Sequence, residues 1–284
     1  MKFVLSFSII FLTLEPTVFG DGGGGARVYR GYPKDISDAP WMVYVRYMTY
    51  TSYGVRIDYL CGGTIVNKMY ILTAGHCVTD KVQGAYKKRK ASLYEIRVGS
   101  TYFNEGGSIY KVAQVYPHPR YTPASPAHDM GLLKLTKNIR YNKKTVQNIQ
   151  LDSSNGTYRS GEDVSSMGWG QNPENPHAAE LYEVNLNIVD SAECARAWGG
   201  SESEYSKHEI CALGPKNADV CQGDSGGPLI YGENNQQIGV VSFGATCAQN
   251  DNSLPGAYAK IADNLGWING VISGKKQEHD EDDC

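Results

Sequence analysis

Past its first twenty residues the chain has no apolar run long enough to cross a bilayer, which excludes a later spanning helix. A charge excess of one sign is also missing. The 284 residues carry a formal −3. Glu278, Asp280, Glu281, Asp282 and Asp283 hold negative charge at the extreme C-terminus, so everything before them sums to about +2. Neither nucleic acid nor a membrane is expected as a partner. Charged residues make up only 20% of the chain while glycines number 32, which suits one large turn-rich β domain or two small ones rather than a disordered chain.

What is present starts with a leader. Lys2 precedes an apolar stretch from Phe3 to Leu14, and Val18-Phe19-Gly20 stands where a signal peptidase reads. This predicts a signal peptide over 1–20 and secretion. Secretion permits disulfides. Seven cysteines are available, an odd number, and any six of them can pair in about fifteen ways. After the leader, Asp21 and four glycines form a segment that cannot hold one conformation cheaply. It ends at Arg27, with Val28 next.

Chemistry concentrates in Cys221-Gln222-Gly223-Asp224-Ser225-Gly226-Gly227-Pro228. Small neighbours let a carbonyl approach the Ser225 hydroxyl, and the amides of Gly223 and Ser225 can converge on one oxyanion. Upstream stand Thr73-Ala74-Gly75-His76-Cys77 and Asp129-Met130-Gly131-Leu132-Leu133. Together the three strings closely resemble the trypsin-like, chymotrypsin-fold serine proteases, in that family's His…Asp…Ser order. The likeness runs from about Val28 to about Ile272.

The resemblance implies an all-β fold of two packed, antiparallel, Greek-key, six-stranded barrels with a C-terminal α-helix, over 28–272. It implies His76 as general base, Asp129 as its orienting carboxylate and Ser225 as nucleophile. It implies a propeptide over 21–27, cut after Arg27 so that the new Val28 amine pairs with Asp224. It selects the disulfides Cys61–Cys77, Cys194–Cys211 and Cys221–Cys247, leaving Cys284 over. The residues themselves suggest short strands from Pro40 onward. Ile261, Leu265, Ile268 and Ile272 predict one apolar helical stripe. An acidic, disordered tail is expected over 273–284. Asn155-Gly156-Thr157 is a glycosylation sequon.

Absences within the resemblance also inform. The family's calcium loop falls near Ser100 to Gly107, where Glu105 is the sole acid. Too few oxygen ligands are offered, so no metal is expected, and no cofactor. Some relatives bridge two positions that here are Val164 and Tyr231. Asp219 matches the floor of the primary pocket, implying cleavage after arginine or lysine. Val220 replaces the serine often found beside it, which favours a bidentate guanidinium over an ammonium. Ser242, Phe243, Gly244 and Gly256 are the expected walls.

Two stretches, Met48 to Tyr59 and the one after Cys77 with Lys87-Lys88-Arg89-Lys90, are longer than in compact digestive relatives. The basic run is either a solvated tip or an exosite for an anionic macromolecule. Expected partners are protein substrates with exposed arginine or lysine, an activating protease and protein inhibitors of serine proteases. Three tasks stay open: limited proteolysis in blood, immunity or venom; broad digestion; or binding on a protease fold without turnover.

Overall fold

The computed structural model describes residues 31–50, 53–122, 125–170, 179–215, 218–244 and 254–275. The leader, Arg27, Val28, Cys247, Cys284, the loop beyond Gly170 and most of the tail lie outside these residues.

In chain order the strands are β1 (Tyr32–Pro33), β2 (Met42–Tyr50), β3 (Arg56–Ile65), β4 (Tyr70–Thr73), β5 (Thr79–Val82), β6 (Ala85–Lys88), β7 (Tyr94–Val98), β8 (Ser108–Pro117) and β9 (Gly131–Leu135). They continue as β10 (Gln150–Leu151), β11 (Asp163–Gly168) and β12 (Tyr182–Val189), then helices α1 (Ser191–Trp198) and α2 (Glu202–His208). The last elements are β13 (Glu209–Leu213), β14 (Pro228–Tyr231), β15 (Gln236–Phe243), β16 (Gly256–Lys260) and helix α3 (Ile261–Ile272).

Strands β2, β3, β4, β9, β8 and β7 close the first barrel in that order. Strands β11, β12, β13, β16, β15 and β14 close a second one. Labelled A to F in sequence, both barrels pair as A-B-C-F-E-D, the same Greek-key path walked twice. Each is filled by its inward positions: Ile65, Tyr94, Ile96 and Leu133 in the first, Val184, Leu186, Leu229 and Tyr258 in the second. Trp41, Met42 and Tyr44 of the first barrel pack with Met167, Trp169 and Ile230 of the second. That shared apolar seam fixes the barrels against each other by removing large side chains from water.

The long stretches after Met48 and Cys77 are hairpins rather than loops. Strands β2 and β3 stay paired out to Tyr50 and Arg56. Strands β5 and β6 pair with Val82 opposite Ala85, and the two residues between them, Gln83 and Gly84, have φ of 51° and 83°. Two left-handed residues make the turn whose twist matches paired strands, and glycine adopts it freely. Val164 and Tyr231 face each other in register across β11 and β14. Disulfides join Cys61 to Cys77 and Cys194 to Cys211. Cys221 is disulfide-bonded as well.

Helix α3 forms where the stripe predicts, but its buried face is Ile261, Asn264, Ile268 and Val271. A polar Asn264 therefore sits in the packed face, and Leu265 and Ile272 stand at its margin. Helices α1 and α2 were not read from the sequence. Asp190 caps α1, its Oδ1 accepting from the amides of Ala192 and Glu193.

Candidate active site

His76 is carried just past β4, where the chain turns out of the first barrel. Gly75 is needed there because a β-carbon would stand 2.8 Å from the Tyr121 ring and 2.9 Å from Asp129 Oδ1. Asp129 lies just before β9, the strand paired with β4, so the pairing delivers both residues to one barrel end. The Asp129 carboxylate is 3% exposed and accepts three hydrogen bonds. Its Oδ1 takes the His76 backbone N–H at 2.8 Å; its Oδ2 takes His76 Nδ1 and Ser242 Oγ, each at 2.7 Å. Burial of His76 opposes its protonation, but the charge and hydrogen bond of Asp129 outweigh that and hold its pKa above the ordinary imidazole value. His76 is thus fixed through Nδ1, which leaves Nε2 to handle a proton.

Ser225 belongs to the second barrel's loop between β13 and β14. It is pinned to the first barrel: the Gly62 amide donates to the Ser225 carbonyl at 2.8 Å. Next to it, Gly226 lies so close to Thr73 and Ala74 that a β-carbon would collide with Thr73 Oγ1 and approach the Ala74 amide to 2.9 Å. The Ser225 loop therefore rests on the segment that leads into His76. The amides of Asp224, Gly226 and Gly227 all donate to carbonyls of the fold. Those of Gly223 and Ser225 have no acceptor among the described residues. Gly223 has φ of 97°, a backbone setting that suits glycine and aims its N–H off the local ladder. Two free donors on either side of a buried aspartate are what a developing oxyanion needs.

Asp224 is fully buried. Its carboxylate accepts from the amides of Gly170, at 2.6 Å, and Cys221, at 2.8 Å. A β-carbon on Gly170 would run into that carboxylate.

Asp219 is 3% exposed. The Val220 amide donates to its Oδ1 at 2.7 Å. Burial pushes its pKa up to about 8, against the pull of the Val220 amide and with a push from the charge of Asp224. A carboxyl so placed is stabilised as an anion when a cation arrives. Gly256 leaves it accessible, since a β-carbon there would stand 2.9 Å from Oδ1; one on Gly244 would stand 4.0 Å from Oδ2.

Of the four expected wall residues, Gly244 and Gly256 lie over Asp219. Ser242 turns its hydroxyl to Asp129, so its side chain serves the carboxylate that holds His76. The Phe243 ring packs edge-on against Trp198, with centroids 5.2 Å apart.

Three residues escaped the sequence. Tyr86, from the β5–β6 hairpin, stacks on Tyr121 with centroids 4.6 Å apart and planes at 8°. Both line a cavity of about 370 Å³ with His76, Asp129, Ser242 and Phe243. No motif marks them, because a hairpin register decides where Tyr86 points. Tyr258 stands behind Gly256, and its buried hydroxyl finds no partner among the described residues.

The basic run is also corrected. Arg89 is not a surface charge: it donates to Asp80 Oδ1 at 2.8 Å and to the Cys77 carbonyl at 3.2 Å. Its guanidinium lies 4.7 Å from the ring centres of both Tyr47 and Tyr59. It ties the two hairpins together, leaving Lys87, Lys88 and Lys90 exposed.

The comparisons agree with this geometry. The family model described as Trypsin matches residues 28–268. The chain belongs to the trypsin family. It is a serine endopeptidase by that membership. It is 32% identical to trypsin beta of Drosophila erecta over 274 residues, covering 94% of this chain and 98% of that protein. It is 32% identical to phenoloxidase-activating enzyme 1 of Spodoptera litura over 265 residues, covering 88% of this chain and 68% of that protein. Among solved structures, neuropsin, a serine protease expressed in the limbic system of mouse brain, overlays with a TM-score of 0.68 at 26% identity. That match covers 86% of this chain and all of the other.

Proposed function

We propose that this chain is a secreted zymogen whose active form cleaves peptide bonds after arginine, and less readily after lysine. The observation that carries the reading is the pairing of His76 with a thrice-bonded Asp129, on the segment against which the Ser225 loop is pinned. His76 takes the Ser225 proton as the hydroxyl attacks the carbonyl carbon. The carbonyl electrons move to oxygen, where the Gly223 and Ser225 amides receive them. Collapse expels the amine, which His76 protonates, and leaves an acyl-enzyme that water hydrolyses by the same steps. Asp219 binds the substrate cation. Asp129 and Ser242 do no bond chemistry; they hold the imidazole in one tautomer.

Zymogen control is read from Arg27 and Asp224. Cutting after Arg27 frees the Val28 amine, whose pKa of about 7.7–8.0 leaves it largely charged near neutrality. Beside Asp224 that charge steadies the loop bearing Gly223 and Ser225. Secretion is supported by the disulfides and the leader-like N-terminus. Asn155 is exposed, as a glycan acceptor must be. Lys87, Lys88 and Lys90 are the remaining candidates for an exosite that an acidic macromolecule would use.

Limited proteolysis is favoured over broad digestion by the Tyr86–Tyr121 stack, which narrows the cleft beside His76. The test is a peptide-library profile of the protein after cleavage at Arg27, with Arg27→Gln as control. Cleavage after arginine by the cut form and silence from Arg27→Gln are expected. Full activity from a chain that N-terminal sequencing shows to be uncut would remove the zymogen reading. A library profile without basic preference would remove the specificity.

A further inference from the structure

On the far side of the chain position from His76, the residue just before Asp129 enters a cluster that the peptidase mechanism does not use. His128 is 7% exposed. Its ring stacks on His118, with centroids 4.6 Å apart, and stands 4.7 Å from the ring of His208 at the end of α2. Asp263, in the first turn of α3, reaches both: its Oδ2 lies 3.3 Å from His128 Nδ1 and 2.8 Å from His208 Nδ1. One ligand atom from each of the three residues falls within 4.8 Å of the other two.

We propose that His128, His208 and Asp263 bind a single divalent transition-metal ion of the zinc type. Two imidazoles and one carboxylate are one of the donor sets found in three-ligand zinc sites. Nitrogen and oxygen donors at about 2.0–2.2 Å from a tetrahedral ion stand about 3.3–3.6 Å from one another. The His128 separation of 3.3 Å from Asp263 Oδ2 is at the lower end of that range, and the His208 separation of 2.8 Å is a direct hydrogen bond that would have to open by about half an ångström to admit the ion. The ligands come from the turn before β9, the end of α2 and the first turn of α3, so three segments far apart in sequence meet at the site.

The surroundings support this assignment. Asn264 donates from Nδ2 to the Lys260 carbonyl at 2.7 Å, which fixes its amide with Oδ1 toward His128 Nδ1 at 2.8 Å. Without metal, the His128 Nδ1 proton is held there. A metal ion takes the place of that proton, with Asn264 Oδ1 facing it as a further oxygen and water able to complete the sphere. His118 lies outside the group of three; its Nδ1 accepts the Arg120 amide at 3.2 Å and its ring stacks on the face of His128. The other cysteine–histidine group, Cys61, His76 and Cys77, is closed to metal because its sulfurs are bonded to each other.

The ion would couple to catalysis through the backbone. His128 has φ of 59°, and the Met130 amide donates to its carbonyl at 2.6 Å. The tight turn so formed carries Asp129, so an ion on His128 ties that turn to α2 and α3.

Zinc on His76 must be kept apart from zinc at this site, so the full chain carrying His76→Ala is the protein to use. Calorimetric titration with Zn²⁺ should give one site that is lost in the same chain with His208→Gln or Asp263→Asn. A hundredfold excess over Kd should raise Tm by roughly 5 °C or more. Co²⁺ should give the visible absorption of a four-coordinate nitrogen–oxygen site, also absent from both variants. Either variant unfolding in the absence of metal is detected by its own Tm, and the other then decides. No zinc binding, binding unchanged in both variants, or an equal response to Mg²⁺ would overturn the proposal.

Discussion

The two barrels follow one strand path, yet they hold their functional groups with different shares of side chain and backbone. The first gathers the His76 ring, the His76 backbone N–H and the Ser242 hydroxyl of the second onto the Asp129 carboxylate, with Gly75 alone clearing space beside it. The second positions Asp219, Asp224 and Ser225 with backbone amides and with glycines that clear space around them. Where side chains do the holding, removing an atom does the damage. Where glycines do it, adding one does. A repeated topology therefore does not carry a repeated site: the site arises because different ends of each path meet across the Trp41–Trp169 seam.

The sharpest way to break the comparison is Ser225→Ala. It removes the hydroxyl proposed to attack and should lower kcat by about 10⁶-fold with Tm unchanged. Adding His76→Ala should cost little further, because members of such a unit fail together. A large extra loss in the double variant would mean that the two barrels contribute separately.

Asp219→Ser comes next. It should lower kcat/KM for arginine substrates by about 10²–10³-fold, as expected for a desolvated charge pair, while sparing reaction with a small neutral acylating agent. Wild type should prefer arginine to lysine in matched peptides, since Val220 offers an ammonium no hydroxyl. The pH dependence follows from the raised pKa of about 8 at Asp219. The folded chain keeps a proton there that the unfolded chain releases near 4. Stability without a bound cation should therefore fall as pH rises from about 4 to about 8. A small aromatic amidine should bind more tightly as pH approaches 8, and Asp219→Asn should flatten both trends.

Ser242→Ala removes one of the three donors on Asp129. A bond to a charged group contributes about 1.5–3 kcal/mol, so kcat should fall roughly 10- to 100-fold with KM little changed. The acid limb of the kcat/KM profile should move as His76 responds to a less well-bonded carboxylate.

The smallest effect belongs to the exposed lysines. Lys87, Lys88 and Lys90 changed together to glutamine should spare tripeptide hydrolysis and slow only an acidic protein substrate, mostly at low salt. Arg89→Gln should instead lower Tm, because its guanidinium is packed between Tyr47 and Tyr59. Equal responses at Arg89 and the lysines would erase the distinction drawn between them.

The fold was legible because family strings survive around His76, Asp129 and Ser225, and because alternation and turns mark the strands. The reading of Asp219 as a pocket floor rests on the family resemblance, to which the structure adds its burial. Side-chain direction was not. Ser242 sits where a wall was expected, yet its rotamer turns to Asp129. Arg89 reads as one of four cations until the β3 and β6 registers bring Tyr59 and Asp80 to it. Tyr86, Asn264 and the His128 cluster depend on contacts between elements far apart in sequence, which local pattern does not encode.

The central claim is that the second barrel supplies a serine made nucleophilic by a histidine of the first. Fluorophosphonate labelling of the chain cut after Arg27, followed by peptide mapping, tests it directly. The account predicts one label, on Ser225, that is lost with His76→Ala and blocked by a small aromatic amidine. A label on another residue, or an equally rapid label on Ser225 in the His76→Ala chain, would contradict it.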